Sequence, residues 1–174
     1  VANNIRAVPI GEIIVSDTAE DVLVAYGLGS CVAICLYDPV AKVGGMLHAL
    51  LPTNPNNPKR NNRDAAATLS AKFVDQGTPL LIESLATLGA KRTRLTAQLC
   101  GGARVLSAPG FEEESILNIG ERNIQAAEST LKASRIRVKA QDTGGRIGRT
   151  VRLYIASGQV TVKSLEHKEK ALAE

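Results

Sequence analysis

Two side chains in this sequence have the chemistry to work as a pair: the thiol of Cys31 and the imidazole of His48. Cys31 follows directly on a glycine-rich turn, Tyr26-Gly27-Leu28-Gly29-Ser30, and opens the run Val32-Ala33-Ile34-Cys35-Leu36-Tyr37, which stops at Asp38-Pro39. β-Branched and apolar residues dominate that run, so it reads as a mostly buried strand. A second apolar run, Met46-Leu47-His48-Ala49-Leu50-Leu51, ends at Pro52. Strands joined by so short a link pair antiparallel, and a turn centred near Val40 sets Cys31 opposite residues close to position 49. A bulge at Gly44-Gly45 shifts that partner to His48. Either register leaves His48 opposite Cys31 or on the adjacent diagonal.

A free thiol of pKa about 8.5 is only a few per cent thiolate at neutral pH; a neighbouring imidazole raises that share and carries the proton away. Gly27 and Gly29 open backbone angles closed to other residues, so successive amide N–H groups can converge beside the sulfur. Donors so placed hold a developing oxyanion, at roughly 3 kcal/mol each. The predicted site is Cys31 with His48, shaped by Gly27, Gly29 and Ser30. Cysteine is also among the most buried residue types, so spacing alone leaves a core role for Cys31 open.

At these same residues the sequence resembles a known family. Gly27-Leu28-Gly29-Ser30-Cys31, Leu36-Tyr37-Asp38-Pro39, Gly45-Met46-Leu47-His48 and Leu51-Pro52 are similar in order and spacing to the signature of the bacterial chemoreceptor glutamine deamidases, the CheD family. The likeness continues through Gly101-Gly102-Ala103, Ile119-Gly120-Glu121-Arg122-Asn123 and Asp142-Thr143-Gly144-Gly145, with Arg149 and the final hairpin, and so covers nearly the whole chain. It implies a cysteine nucleophile at Cys31, a histidine base at His48 and a layered α/β cysteine-hydrolase fold. It also implies chemoreceptor cytoplasmic helices as substrate, and a CheC-type phosphatase, with phosphorylated response regulator behind it, as regulatory partner. The family has a threonine six residues before the cysteine that helps to orient the histidine; here Ala25 holds that place and has no hydroxyl.

Composition sets the outer limits. A chain of 174 residues with 44% apolar residues fits one domain with a real core. The expected division is a domain over 1–165 and a charged tail over 166–174. With no Trp, two Phe and three Tyr, the chain lacks the aromatic platforms that stack single-stranded nucleic acid. Its net charge of +4 comes from mixed signs without a dense basic run, which fits acidic partners better than nucleic acid. No stretch is apolar for long enough to span a membrane, and Val1-Ala2-Asn3-Asn4 lacks the pattern of a signal peptide, so a cytoplasmic protein is expected. Three cysteines, an odd number, suit reduced thiols rather than a disulfide framework. No Cys/His cluster has zinc-ligand spacing, and no metal or other cofactor is expected.

The elements that must position the pair read as follows. Ile10 to Val15 and Val22 to Tyr26 are predicted strands leading into the glycine turn. Thr53 to Asn62 is rich in turn formers and reads as an exposed loop near the site. Asp64 caps a predicted helix running to Gly77, and Thr78-Pro79 starts another over Leu80 to Leu88. Arg94 to Leu99 alternates as a strand and ends at Gly101-Gly102, a possible wall of the cleft or a plain turn. Cys35 shares the face of Cys31 but lies too far along the strand for an easy bridge, and Cys100 is either core or site-lining. A helix is predicted from Ser115 to Lys132, weakened at Gly120. Ile136 to Ala140 and Thr150 to Ala156 read as strands flanking Asp142-Thr143-Gly144-Gly145, a shaped loop that lacks the lysine of a phosphate-binding pattern. Ser157-Gly158 turns into a last strand, Gln159 to Ser164, and the tail from Glu166 reads as a frayed helix. Together these predict a layered α/β domain with a mixed sheet packed against helices.

Two functional classes fit. The first is a protein-glutamine amidohydrolase working through a thioester, with glutamyl methyl esters reaching the same acyl intermediate. The second is a binding module that keeps the fold and the regulatory contact but little chemistry, and Ala25 is its support. A redox-sensing thiol needs a resolving sulfur, and Cys35 is poorly placed to be one.

Overall fold

The strands that carry the pair are buried on both faces, and each face meets a different layer. A computed structural model describes residues 3–55, 69–104, 119–166 and 168–173. Ten strands form in order: β1 (Asn4–Ala7), β2 (Glu12–Ser16), β3 (Asp21–Leu28), β4 (Val32–Asp38), β5 (Val43–Ala49), β6 (Thr96–Gly101), β7 (Arg137–Thr143), β8 (Arg149–Tyr154), β9 (Val160–Ser164) and β10 (Lys170–Ala171). Helix α1 (Val74–Thr87) lies between β5 and β6, and α2 (Ile119–Ala133) between β6 and β7. The strands make two five-stranded sheets, ordered β1-β3-β8-β9-β10 and β2-β5-β4-β6-β7. Each sheet is mixed: β1 runs parallel to β3 and β6 parallel to β7, while the other pairs are antiparallel. The sequence pattern predicts one sheet; two are present.

Alternation along β4 sorts the core. Val32, Ile34 and Leu36 pack with Leu81, Leu85, Ala127 and Leu131 of the helices. Ala33 and Cys35 pack instead with Leu23, Val151 and Leu153 of the other sheet and with Ile155 just past the end of β8. The result is three layers, sheet on sheet on helices, with apolar residues filling both seams.

The β4–β5 hairpin has the turn expected near Val40 but no bulge. Tyr37 pairs with Gly44 and Leu36 with Gly45 in unbroken register. These glycines are required for closeness instead. A Cβ on Gly44 would lie 2.9 Å from Ile155, and one on Gly45 2.8 Å from Leu81, so the neighbouring layers press directly on the strand.

Asp38 locks the far end of that hairpin. Its buried carboxylate accepts the Val40 and Ala41 N–H groups at 3.0 and 3.1 Å, the Lys91 N–H at 2.8 Å and the Arg94 guanidinium at 2.7 Å. Burial works to raise its pKa, but Arg94 and the three backbone donors outweigh it and hold the carboxyl far below the usual range. Asp38→Ala strands those donors and is expected to cost about 3 kcal/mol, a fall of roughly 6–12 °C in Tm for a chain of this size. A depressed folded pKa gives stability that is complete above the unfolded value of about 3.9 and fades as pH falls toward the folded one. The Tm gap between native and variant protein should therefore shrink below about pH 4; a gap that stays constant into acid would show that the charge is not what holds the turn.

The helices differ from the expected pair. The proposed Asp64 cap lies outside the described residues, as does most of the loop from Thr53 to Asn62. One helix, α1, runs through Gly77, Thr78 and Pro79 without a break. Its first N–H groups are already taken, Val74 by the Leu51 carbonyl at 2.9 Å and Asp75 by the Pro52 carbonyl at 3.2 Å, and Pro79 falls only one turn further on. The tail contributes a strand where a frayed helix is predicted: Lys170 and Ala171 of β10 pair with Val162 and Thr161 of β9. Among the described residues no helix is long and apolar enough to cross a membrane.

Candidate active site

Cys31 and His48 lie on the same face of their sheet, the inner face between the two sheets. His48 pairs with Ala33, and Val32 with Ala49, so Cys31, two residues before Ala33, sits on the diagonal from His48. Cys31 packs in the seam with Ala33, Cys35 and Met46. Diagonal neighbours have Cβ atoms roughly 7–8 Å apart or somewhat less. Both side chains are covered, Cys31 at 7% and His48 at 2% exposure.

The imidazole is held from one side only. Its Nδ1 lies 3.0 Å from the Val8 carbonyl oxygen, which can only accept, so Nδ1 carries the proton and Nε2 is left with a lone pair. Nε2 is buried and makes no hydrogen bond among the described residues. Burial pushes the imidazole pKa down, with the Val8 bond pulling partway back. Val8 is itself pinned, its N–H given to the Val24 carbonyl at 2.8 Å, beside Ala25. Ala25 is fully buried in the same seam. A backbone carbonyl from the segment just after β1 thus orients the ring in a chain with no hydroxyl at position 25.

Burial also pushes the Cys31 thiol up, while its own backbone N–H pulls the other way. This runs against the thiolate enrichment that the spacing suggests, because two covered groups resist charging. Both shifts act in favour of the uncharged forms, thiol and imidazole. Cys35, which burial raises well above the ordinary thiol value, and Cys100, pushed up to about 12 by burial first and by Asp142, lie deep in the same seam.

Of the predicted turn and loops, Gly102 meets the Cys31 backbone, Ala103 meets Gly29, and the loop at Gly144 meets Gly101. Gly27 takes φ 63°. Gly29 contributes its carbonyl, which accepts the Ala103 N–H at 2.8 Å, and the Cys31 carbonyl accepts the Gly102 N–H at 2.8 Å. Gly101 and Gly102 have φ of 103° and 68°, and a Cβ on Gly101 would collide with the Cys31 carbonyl oxygen, so only glycine passes this close at this angle. Thr143 pairs with Gly101, and the Gly144 N–H reaches the Gly101 carbonyl at 2.9 Å. Asp142 receives Arg149 at 2.7 Å and Lys170 at 3.3 Å, and Arg149 also donates to the Gly144 carbonyl at 2.8 Å. Gly145 accepts the Arg104 N–H at 2.8 Å. An open cleft of about 320 Å³ lies here, lined by Gly102, Arg104, Glu121, Ile124 and Gly144 to Arg146. Neither Cys31 nor His48 lines this cleft; Gly102 joins it to the backbone of Cys31. Among the described residues no group of His, Cys, Asp and Glu has the geometry of a metal site.

Two residues of this neighbourhood had no role assigned from sequence. Val8 precedes Pro9, and the residue before a proline is held extended, a signal for a fixed carbonyl direction. Asn123 is buried on α2 with Gly120, Ala127 and Leu131. The spacing 120, 123, 127, 131 traces one helix face, with a single polar amide at a core position.

The architecture and site define a layered α/β protein with a buried cysteine–histidine pair at the seam between two mixed sheets. The family model described as CheD chemotactic sensory transduction matches residues 50–164. A protein of Desulforamulus reducens named "Probable chemoreceptor glutamine deamidase CheD" is 46% identical over 143 residues, 82% of this chain and 81% of its own length. A protein of the same name from Symbiobacterium thermophilum is 40% identical over 168 residues, 97% of each chain, and one from Pyrococcus abyssi 46% identical over 146 residues, 84% of this chain and 83% of its own. This chain belongs to the CheD family.

Proposed function

We propose that this chain is a protein-glutamine deamidase that converts glutamines on chemoreceptor cytoplasmic helices to glutamate through a thioester on Cys31. The observation that carries the reading is the His48 ring: Nδ1 is committed to the Val8 carbonyl, and a buried Nε2 lone pair has no partner among the described residues. Relatives bearing the name chemoreceptor glutamine deamidase support the substrate.

Nε2 takes the proton from the Cys31 sulfur as the sulfur attacks the carboxamide carbon, and the oxyanion forms. The carbon–nitrogen bond then breaks, His48 returns the proton to the leaving nitrogen, and ammonia departs. Water gives a proton to His48 and adds to the thioester carbon; the carbon–sulfur bond breaks, the sulfur is reprotonated and the glutamate side chain is released. A glutamyl methyl ester enters the same path with methanol as leaving group. A buried neutral pair suits this order, because charge develops only when substrate is present. The proposed setting is the cytoplasm, and the proposed regulator is a CheC-type phosphatase.

The test is incubation with a receptor cytoplasmic fragment and a search for a gain of about one dalton at individual glutamines, the change when an amide becomes an acid. A gain is expected; no gain with substrate bound overturns the reading.

Ala25 supports a second reading, an adaptor with the fold but little turnover. The two readings separate on Ala25→Thr. With Nδ1 already held by Val8, the added hydroxyl enters an apolar seam, so the expected result is kcat/KM within about threefold of native and a loss of about 1–3 kcal/mol in stability. A native chain without activity that gains it on Ala25→Thr favours the adaptor.

A further inference from the structure

We propose that Asn123 is a positioning residue for this reaction, its side-chain amide clamping the peptide that precedes the nucleophile to the chain segment that follows the base. Nδ2 donates one hydrogen to the Ser30 carbonyl at 2.8 Å and the other to the Leu50 carbonyl at 3.0 Å. Ser30 adjoins Cys31 in the chain, and Leu50 comes two residues after His48. One planar amide therefore ties the β3–β4 turn to the end of β5, the two places from which the thiol and the imidazole extend.

Three observations support more than a packing role. Asn123 is fully buried, yet its Oδ1 has no partner among the described residues. An amide kept in a core with its acceptor unpaired costs stability, and leucine has the same shape without that cost. What leucine lacks is the donor pair. Next, a peptide is planar with its C=O and N–H pointing opposite ways, so fixing the Ser30 carbonyl fixes the direction of the Cys31 N–H. That N–H acts on the Cys31 thiol in the direction of the thiolate, and among the described residues no backbone carbonyl takes it. It is thus available beside the reacting atom, in the position from which a nucleophile's own amide meets an oxyanion. Finally, the helix that carries Asn123 is seated tightly. A Cβ on Gly120 would lie 2.9 Å from the Ala103 carbonyl oxygen, and Ile124 packs on Gly102, whose N–H holds the Cys31 carbonyl. Helix α2 is the rigid back wall from which the clamp reaches.

The proposal rests on the deamidase reading, and two assays keep their failures apart. Asn123→Leu preserves volume and removes both donors; the expected result is a fall of about 10²-fold in kcat with KM changed less than about threefold. The pH midpoint for alkylation of Cys31, followed on its own peptide, should also move toward that of free cysteine as the turn loosens. In Asn123→Asp a carboxylate faces two carbonyl oxygens. Its kcat relative to native should be lowest at neutral pH and recover as acid restores one O–H donor. Gln125→Ala, on the exposed face of α2, serves as the control. A folded Asn123→Leu with native kcat and native alkylation midpoint overturns the proposal, whatever its Tm. If the variants do not fold, the native protein decides: the Asn123 side-chain amide protons should be protected from exchange and should shift when Cys31 is alkylated, and fast exchange without a shift overturns it. A native chain that never deamidates defeats the deamidase reading, while alkylation and exchange still test the clamp.

Discussion

Cys31→Ala is expected to bring the mass gain on receptor glutamines down to the level of an enzyme-free control, a loss of at least about 10³-fold in kcat/KM. No other described thiol can replace it. Cys35 and Cys100 share the seam, but they lie deeper and burial raises their pKa values, so neither offers a reactive sulfur. Cys35→Ala should accordingly keep native turnover while losing stability, because it removes a packed sulfur and nothing else. Substrate binding to Cys31→Ala should persist, and a pull-down with the receptor fragment checks that. Residual deamidation by Cys31→Ala above background would place the nucleophile elsewhere and end the thioester mechanism.

His48→Gln is expected to lower kcat/KM by about 10²- to 10⁴-fold, the usual contribution of a general base. Glutamine fills similar space and can still donate toward Val8, so the loss reads on proton transfer more than on packing. The pH profile of the native chain gives the complementary test. His48 accepts a proton only when neutral, and neutrality holds above its pKa. Burial lowers that pKa, so activity should persist below the ordinary imidazole value of about 6.5 before the acid limb falls away. The limb should vanish from whatever activity His48→Gln retains. An acid limb at or above the ordinary value would mean that the titrating group is not a covered imidazole.

The parts of this fold that could be read from sequence are those where local pattern and final environment agree. The β4 and β5 runs are apolar and bounded by Pro39 and Pro52, and their link fixes the register that puts His48 diagonal to Cys31. The division into two sheets could not be read, because β3 pairs with β8, and β4 with β6, across long stretches of chain that carry no local signal. β1 is four residues long and exposed throughout, so it shows no alternation at all. Gly44 and Gly45 suggested a bulge, but they are small because Ile155 and Leu81 press on them, a tertiary cause invisible in a hairpin taken alone. The candidate site is legible in its side chains and not in its backbone. Cys31, His48 and the glycine turns stand out by type, whereas the Val8 carbonyl is a group every residue has, and only the folded chain shows which one faces the ring.

That carbonyl has a wider consequence. The thiol and the imidazole belong to one sheet, while the oxygen that steadies the imidazole comes from the segment just after β1, the outermost strand of the other. The base is in effect leashed to an edge, and one end of the leash is the short parallel seam between β1 and β3, extended by the Val8 N–H on the Val24 carbonyl. Anything that peels this edge away slackens the ring from outside, and so reaches the chemistry without entering the pocket.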